Sequence, residues 1–336
     1  MNLYIFPDKP GRNQGYSIAV ESDVNRLNPQ NNDIVVWYIS SGKADNPNEV
    51  LLRRPATIAM SRIKNVLRNY VNCEVSTTDL SFINPEEVEE VFCGEVIFYR
   101  ALRKMFPYKR ITVRFHNCFA RIKDRMDLLD VKASTKFYIQ LRAFYQLEKE
   151  IFQDKNCYKI FISDEDRDYY TTHFGIWSDS EVWGFAPDMS KAIANRNTTK
   201  KTKLVSYGGM QSHKRDGMNW FIKEVFLPLH KLLPDLEFHL WGAWTQIYDD
   251  PINKIFGHGF FEGKGLPEVE NALFVNPDIL GGGVKIKMLE LFEQGASFIS
   301  TPYGYEGYDK NLIDNKYYNV VEMDGWKNFL FEYFRE

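Results

Sequence analysis

The sequence predicts an α/β protein made of two doubly wound domains. Short apolar runs alternate with stretches of helical period, which is the pattern of a parallel sheet covered by helices on both faces. The alternation occurs twice, and at 336 residues the chain is long enough for two hydrophobic cores. We therefore predict a first domain at 1–187, a polar linker at 188–203, a second domain at 204–324 and a C-terminal helix at 325–336.

The first series begins with strand-like runs and contains one long helix. Buried strands are predicted at 2–6, 33–40, 95–99, 111–115 and 159–163. A helix is predicted over about 132–153, where apolar residues recur near helical period. After the first strand only Gly11 and Gly15 are present, which is not the spacing of a G-x-G-x-x-G fingerprint, so a dehydrogenase is disfavoured. Gly15 is still a candidate for close backbone approach to a ligand, with an ordinary turn as the alternative.

The second series contains five predicted strands and two predicted helices. The strands lie at 203–209, 237–242, 257–263, 272–277 and 297–301. One helix runs through the apolar positions of 220–229 and closes at Pro234, and another follows the glycines at 281–283. The strands end at Gly, Pro or Thr, where an α/β sheet opens its ligand crevice.

Composition restricts the classes of partner. The net charge of -3 gives no general attraction to nucleic acid, so none is expected as a partner. Basic clusters at 100–114 and 196–203 are expected to be solvated surface. The four cysteines show no paired spacing, which predicts free thiols in a reducing cytoplasm rather than a metal or redox motif.

The termini bear on localisation. The N-terminus lacks a basic start followed by a long apolar run, so a signal peptide is not expected, and we predict a cytoplasmic protein. The C-terminal stretch 325–336 is rich in aromatic residues. It either packs back as a helix on the first domain or makes peripheral contact with the inner face of a membrane, and packing is favoured.

The most specific candidate site begins at the glycine run 281–283. An amphipathic helix follows that carries Lys285, Lys287 and Glu290 and ends at Gly295. A helix N-terminus presents free N–H groups and a positive dipole end, which suit phosphate. The carboxylate one turn further on is placed to accept hydrogen bonds from sugar hydroxyls. The plain alternative is an ion pair between Lys287 and Glu290.

Glycines support a ligand site at this helix. Three consecutive glycines cost conformational entropy on ordering, and close approach of the backbone to a ligand is a common reason for them. Gly282 and Gly283 are therefore candidates for substrate binding, and Thr301, at the end of the strand that follows the helix, is another. Together these features suggest a site for a nucleoside diphosphate or a nucleotide sugar.

A second glycine loop lies at 208–216, after the first strand of the second domain. Gly209 and the basic Lys214 are candidates for phosphate binding at a strand-to-helix turn. In the structural alternative, Asp216 caps the helix and pairs with Lys214 or Arg215.

His116 and Asn117 follow the predicted strand 111–115 of the first domain. His116 is the best candidate for polar contact with a reacting sugar, and a purely structural histidine is an equal alternative. The acidic run 164–166 has the D-x-D form of metal-dependent sugar transferases, but helix capping behind Ser163 is favoured. Since the six histidines show no paired spacing, no metal site and no other cofactor are expected.

The second domain resembles glycosyltransferase family 4. The resemblance covers about 204–307 and rests on four ordered blocks: SYGGM with KRDGMNWFIKEVFLPL, FHLWG, GHGFFEG with LPEVENALFVNP, and GGGVKIKMLELFEQGASFISTPYGYEG. The first domain matches more loosely, at HN 116–117, YQLEKEIF and FISDEDRDYY. The resemblance implies a GT-B architecture, in which two doubly wound Rossmann-like domains face a central cleft.

The resemblance also implies roles for individual residues. Glu290 matches the second of two family glutamates, which contacts the nucleotide ribose, whereas Gly282 stands at the position of the first and has no carboxylate. Lys214 matches a basic residue of the family that contacts the donor phosphates, and Lys285 or Lys287 would supplement or replace it. His116 matches a first-domain residue near the donor sugar.

The function implied is transfer of a sugar from a UDP- or GDP-type nucleotide sugar to a hydroxyl of a glycan, lipid-linked or protein-linked acceptor. The resemblance implies retention of anomeric configuration, independence from metal ions, and a place in bacterial-type surface polysaccharide biosynthesis. Two alternatives stay open. One is a nucleotide-sugar 2-epimerase on the same fold. The other is a partner subunit that binds the nucleotide sugar without turnover, and the missing carboxylate at Gly282 supports this second alternative.

Overall fold

The structure is a computed structural model, and it describes residues 1–10, 15–39, 44, 46–53, 75–128, 135–175, 179–196, 198–210, 212–262, 265–280, 283–314 and 316–335. The chain divides into two compact units, Met1–Gly184 and Phe185–Glu336. Each unit is built on a parallel sheet, one of seven strands and one of six.

The first domain has its strands in the order β3-β2-β1-β4-β5-β6-β7, all parallel. The strands are β1 Leu3–Phe6, β2 Ile34–Ile39, β3 Glu49–Arg53, β4 Val91–Cys93, β5 Ile111–Phe115, β6 Cys157–Phe161 and β7 Ser180–Val182. The helices are α1 Gly15–Leu27, α2 Tyr99–Met105, α3 Phe119–Leu128, α4 Thr135–Gln153 and α5 Asp164–Phe174. The reversal between β1 and β4 makes this a doubly wound sheet.

A buried carboxyl joins two helices of this domain. Glu148 on α4 is fully buried and accepts the backbone N–H groups of Phe119 at 3.0 Å and Ala120 at 2.8 Å. These are N–H groups of the first turn of α3, which have no partner within their own helix. Burial raises the pKa of Glu148 to about 8, although the two N–H groups act in the opposite direction.

The second domain has the strand order β10-β9-β8-β11-β12-β13, again all parallel. Its strands are β8 Lys203–Tyr207, β9 Glu237–Trp241, β10 Ile255–Gly259, β11 Ala272–Asn276, β12 Phe298–Ser300 and β13 Tyr318–Val320. Its helices are α6 Met189–Ala194, α7 Ser212–Trp220, which continues through a π-helical turn Phe221–Phe226 into α8 Leu227–His230, then α9 Ile286–Glu293 and α10 Trp326–Arg335.

Read from the first strand of the domain, this order is 3-2-1-4-5-6, the order of the Rossmann fold. The strand order reverses between β8 and β11, so the chain continues from these two strands toward opposite faces of the sheet. Ligands of open α/β sheets bind at this point, beyond the carboxyl ends of the strands.

One strand prediction was wrong. The strand lies at Val91–Cys93, and the apolar run 95–99 instead forms a short 3₁₀ turn, Val96–Phe98, that leads into α2. Glu95 starts this turn, because its carboxylate accepts the Val96 N–H at 3.0 Å. A short apolar run is compatible with a buried helix as well as a buried strand.

The segment predicted as a linker is ordered where it is described. Asp188 caps α6 by accepting the N–H groups of Ser190 and Lys191. Asn195, directly after α6, donates to the Glu293 carbonyl at 2.7 Å. This part of the chain therefore packs against the end of α9 in the second domain.

The C-terminal helix α10 buries Trp326 and Leu330 in the core of the second domain, beside Phe221 and Phe226. The Trp326 indole N–H donates to the Val321 carbonyl at 2.8 Å. Within the described residues, no helix combines the length and the apolarity needed to cross a bilayer. The three described cysteines, Cys93, Cys118 and Cys157, are buried and free.

Candidate functional site

Glycines bring two loops of the second domain into contact at the carboxyl edge of the sheet. Gly208 and Gly242 follow β8 and β9 with positive φ angles of 122° and 136°, which disfavour other residues. A Cβ atom on Gly242 would lie 2.3 Å from the Gly208 carbonyl oxygen and 2.9 Å from the Gly209 nitrogen. The backbone at the end of β8 is thus packed without intervening side chains.

A third glycine fixes the start of α7 over the loop that follows β11. A Cβ atom on Gly217 would lie 2.1 Å from the Pro277 carbonyl oxygen, so only glycine allows this approach. The Lys287 side chain lies over Gly208, and a Cβ atom on Gly208 would lie 3.8 Å from Lys287 Cδ. The loop after β8, the loop after β11 and the start of α9 therefore converge at the switch point of the sheet.

Three lysines and one aspartate lie together at this convergence. Asp278 is buried, and its Oδ2 is 2.9 Å from Lys287 Nζ. Burial acts to raise the pKa of Asp278, but the charges of Lys287 and Lys214 outweigh burial and lower this pKa to about 2. Lys285 contributes further positive charge, while its Nζ donates to the Gly283 carbonyl at 2.9 Å.

This cluster has an excess of positive charge. Burial, followed by repulsion from Lys287, lowers the pKa of Lys214 to about 8. Three ammonium groups surround one carboxylate, which leaves two positive charges that a dianionic ligand would balance. The low pKa of Lys214 therefore has two causes, burial of the ammonium group and the positive charge of its lysine neighbours.

The N-terminus of α9 adds backbone donors to the same cluster. Lys285 occupies the cap position, but its side chain reaches back to Gly283 rather than capping the helix. The first N–H groups of a helix lack intrahelical acceptors and favour anions. Lysine cations and helix N–H donors thus point to a phosphate-containing ligand.

Glu290 lies one turn further along α9 and is half-buried. Burial, with a smaller contribution from Glu293, raises the pKa of Glu290. Burial, with a smaller contribution from the charge of Glu290, raises the pKa of Tyr207, the last residue of β8. Lys287 makes its ion pair with Asp278 on the neighbouring loop.

Thr301 supports the loop that carries Asp278. Its hydroxyl is buried, donates to the Asp278 carbonyl and accepts the Gly304 N–H at 3.0 Å. The hydroxyl is therefore engaged with backbone at the edge of the site. Gly282 lies outside the described residues.

In the first domain, the predicted residues lie at the carboxyl end of β5 and the start of α1. The His116 side chain is 1 % exposed, with Nε2 3.2 Å from Asp23 Oδ2. Asn117 follows directly and is half-buried, and Gly15 is the first residue of α1. The helix-capping interpretation of 164–166 is confirmed, because Ser163 accepts the Asp166 N–H at 3.1 Å and the acids form the first turn of α5.

Asp278 is not among the candidates that the sequence predicts. The sequence does place this acid where ligands bind, because Asp278 stands two residues after Asn276, at the carboxyl end of a predicted strand. Without the strand order, this end could not be assigned to the switch point.

No protein-family model matches the sequence. No curated protein matches it either.

Solved structures do match. The lipopolysaccharide outer core galactosyltransferase WaaB aligns with a TM-score of 0.58 and 14% identity, covering 100% of this chain and 90% of that one. WaaG, a glycosyltransferase involved in lipopolysaccharide biosynthesis, aligns with a TM-score of 0.55 and 14% identity, and the alignment covers 99% of this chain and 90% of that one. An α,α-trehalose-phosphate synthase (UDP-forming) from Burkholderia xenovorans, in complex with glucose 6-phosphate, aligns with a TM-score of 0.57 and 10% identity. That alignment covers 99% of this chain and 92% of the synthase chain.

These matches extend over both domains and identify the fold as GT-B, with two Rossmann-like domains. The prediction of the fold class is confirmed. At such low identity the likeness concerns the fold alone, and the chemistry has to be argued from this chain's own residues.

Proposed function

We propose that this protein is a glycosyltransferase that takes a sugar from a UDP- or GDP-type nucleotide sugar and transfers it to an acceptor hydroxyl. The observation that carries the proposal is the cluster of Lys214, Asp278 and Lys287 at the switch point of the second sheet, next to the N-terminus of α9. A nucleoside diphosphate supplies the negative charge that this cluster lacks. The GT-B fold agrees with a donor of this class.

The cluster suits the chemistry of the leaving group. When the bond between the sugar and the diphosphate breaks, negative charge develops on the diphosphate while the sugar acquires oxocarbenium character. Preorganised cations and N–H donors stabilise charge where it develops in the transition state. Since Lys214 and Lys287 already supply positive charge there, we propose that transfer requires no metal ion.

The acceptor is proposed to be a hydroxyl of a glycan, of a lipid-linked glycan or of a glycoprotein, in the synthesis of a bacterial-type surface glycan. The resemblance to glycosyltransferase family 4 supports transfer with retention of configuration. The anomeric signal of the product, followed by NMR as it forms, distinguishes retention from inversion.

Glu290→Ala is expected to weaken binding of the nucleoside diphosphate by about 1–3 kcal/mol, because a half-buried carboxylate would lose its hydrogen bonds to the ribose. Titration calorimetry with UDP and GDP measures the change. Glu293→Gln, on the same helix, is the matched control and should bind as the wild type does. Equal affinity of the Glu290 variant and the wild type would remove this residue from the site.

Nucleoside diphosphate binding is expected to weaken as the pH rises above about 8, the pKa of Lys214 in the free protein. A bound diphosphate favours the ammonium form and so raises this pKa, which means that the complex holds one more proton than the free protein above pH 8. Affinity should change little between about pH 7 and 7.5, where the terminal phosphate is already ionised, and fall by up to about tenfold per pH unit above 8.

Lys214→Arg is the control for this pH dependence, because a guanidinium stays charged throughout the range. The variant should retain binding but lose the decline between pH 7 and pH 9, and any titration of the base appears equally in both proteins. An identical decline in the two proteins would show that Lys214 does not contact the phosphates.

A thermal-shift screen of nucleotides and nucleotide sugars tests the proposed function as a whole. We expect stabilisation by one nucleoside diphosphate and its sugar conjugates, followed by sugar transfer when acceptor glycans are added. Isomerisation of the sugar nucleotide without an acceptor would indicate a 2-epimerase, and binding without turnover would indicate a partner subunit. No shift with any nucleotide would refute a donor site at the lysine cluster.

A further inference from the structure

A second group of charged and imidazole side chains lies on the sheet of the second domain, away from the lysine cluster in sequence. His239 on β9, His258 on β10 and Glu268 in the following loop each offer one atom, and these atoms lie within 4.8 Å of one another. His239 Nδ1 is 2.9 Å from His258 Nε2 and 3.2 Å from Glu268 Oε1.

These separations are close to those of a metal coordination sphere. With metal–ligand distances of about 2.0–2.2 Å, the ligand atoms of a tetrahedral zinc ion stand about 3.3 Å apart. Two of the three separations, 2.9 and 3.2 Å, differ from that spacing by a few tenths of an ångström, and the third pair of atoms lies within 4.8 Å. The His258 side chain is exposed, so a water molecule has access to a fourth position.

The second nitrogen of His239 has the partner that a metal-binding histidine requires. His239 Nε2 is 3.2 Å from Glu237 Oε2. A carboxylate that accepts this N–H fixes the tautomer in which Nδ1 carries a lone pair, and metal-bound histidines almost always have such a partner. That lone pair then faces the Glu268 carboxylate oxygen, an arrangement that a cation between them would stabilise.

The other two groups are also held in place. The Trp241 ring stacks on His258, with ring centroids 4.1 Å apart, and its indole N–H donates to Glu268 Oε1 at 3.1 Å. Lys203 Nζ binds the other oxygen, Glu268 Oε2, at 2.5 Å. Glu268 has a φ of 54°, a left-handed conformation that non-glycine residues seldom adopt and that is often found at functional sites.

We propose that His239, His258 and Glu268 form a binding site for a Zn²⁺-class divalent metal ion. Two imidazoles and one carboxylate are a ligand set that suits zinc and leaves one position open. The ligands come from the edge strand β10, its neighbour β9 and the loop after β10, so the ion would tie these three segments together. This role is structural and independent of the proposed transfer reaction.

Metal binding by the full chain, prepared without a polyhistidine tag and stripped with a chelator, tests the proposal. We expect one Zn²⁺ per chain by calorimetry and a rise in melting temperature that chelator reverses. Co²⁺, used as a spectroscopic probe, should give the visible absorption bands of a four-coordinate N/O site.

Variants assign the ligands. His258→Ala and Glu268→Gln should each lower Zn²⁺ affinity by at least about 100-fold, and Glu237→Gln, which acts only through His239, by about 10-fold or more. His173→Ala is the matched control, since that histidine also lies near a carboxylate, at 3.4 Å from Asp124, and should bind Zn²⁺ as the wild type does.

Two outcomes would overturn the proposal. One is a wild-type chain that takes up no stoichiometric Zn²⁺ or Co²⁺, which would leave these residues as an imidazole–carboxylate hydrogen-bond network. The other is uptake that His258→Ala and Glu268→Gln leave unchanged while both variants keep the wild-type fold by circular dichroism.

Discussion

Lys287→Ala is expected to lower the rate of sugar transfer by about 10²–10³-fold, the loss typical of removing one preorganised donor from a developing anion. Lys287 is the cation nearest to Asp278, at 2.9 Å, and it lies over the glycine turn that ends β8. Its removal subtracts positive charge from the leaving-group site and leaves a buried carboxylate with weaker compensation. The measurement is the transfer rate at saturating donor.

The variant Lys287→Ala,Asp278→Asn separates the two effects. It removes one cation and one anion together, so the structural cost of an uncompensated Asp278 disappears while the loss of a phosphate donor persists. We expect the double variant to regain stability without regaining activity. Lys223→Ala is the surface control, because that side chain is 82% exposed and should have wild-type activity. Full recovery of transfer by the double variant would contradict a direct role for Lys287.

The lysine cluster is only partly visible in the sequence. Lys214 and Lys287 are candidates from the sequence because each lies near glycines at a predicted strand-to-helix turn, and parallel strands bring such turns to one edge of a sheet. Asp278 was missed because a single acid after a strand carries no motif. Its importance depends on Gly217, whose lack of a side chain lets α7 approach the β11 loop.

The fold was predictable where apolar residues form a continuous run or recur with a clear helical period. The runs at 33–40 and 111–115 lie on β2 and β5, and the helix predicted at about 132–153 is α4. The strands β3, β7 and β13 were not predicted. They are short or only partly buried, so an apolar run does not distinguish them.

The histidine cluster was beyond the reach of spacing rules. His239 and His258 are 19 residues apart and belong to no metal-binding motif. They meet because β9 and β10 are parallel neighbours, with His239 paired with Phe256 in the register and a bulge that places His258 close by. Contacts between parallel strands depend on register, which the sequence alone leaves undetermined.

Asp23→Ala is expected to destabilise the first domain by about 3–5 kcal/mol, the loss typical of removing one partner from a buried ion pair. Asp23 Oδ2 is 3.1 Å from Arg114 Nε, and both side chains are 1 % exposed. Arg114 also donates to the carbonyls of Phe161 at 2.6 Å and Trp183 at 2.7 Å, but these neutral groups do not replace the lost charge. Denaturant unfolding measures the change.

Asp179→Asn is the matched control for charge removal. Its pair with Arg110 has a similar separation, 3.2 Å, but both side chains are more than half exposed, so the loss should be below about 1 kcal/mol. Similar losses for Asp23→Ala and Asp179→Asn would show that burial does not make the Asp23–Arg114 pair more important to folding.

His116→Ala decides whether the imidazole beside Asp23 supports the fold or acts on the sugar. Its side chain is 1 % exposed and 3.2 Å from the same Asp23 oxygen that contacts Arg114, which favours support. We expect a loss of unfolding free energy of about 1–3 kcal/mol, smaller than for Asp23→Ala because the Asp23–Arg114 pair remains. Transfer should then fall only in proportion to the unfolded fraction. A fall of two orders of magnitude or more in transfer at unchanged stability and unchanged nucleotide affinity would instead place this imidazole at the reacting sugar, the role that the family resemblance implies.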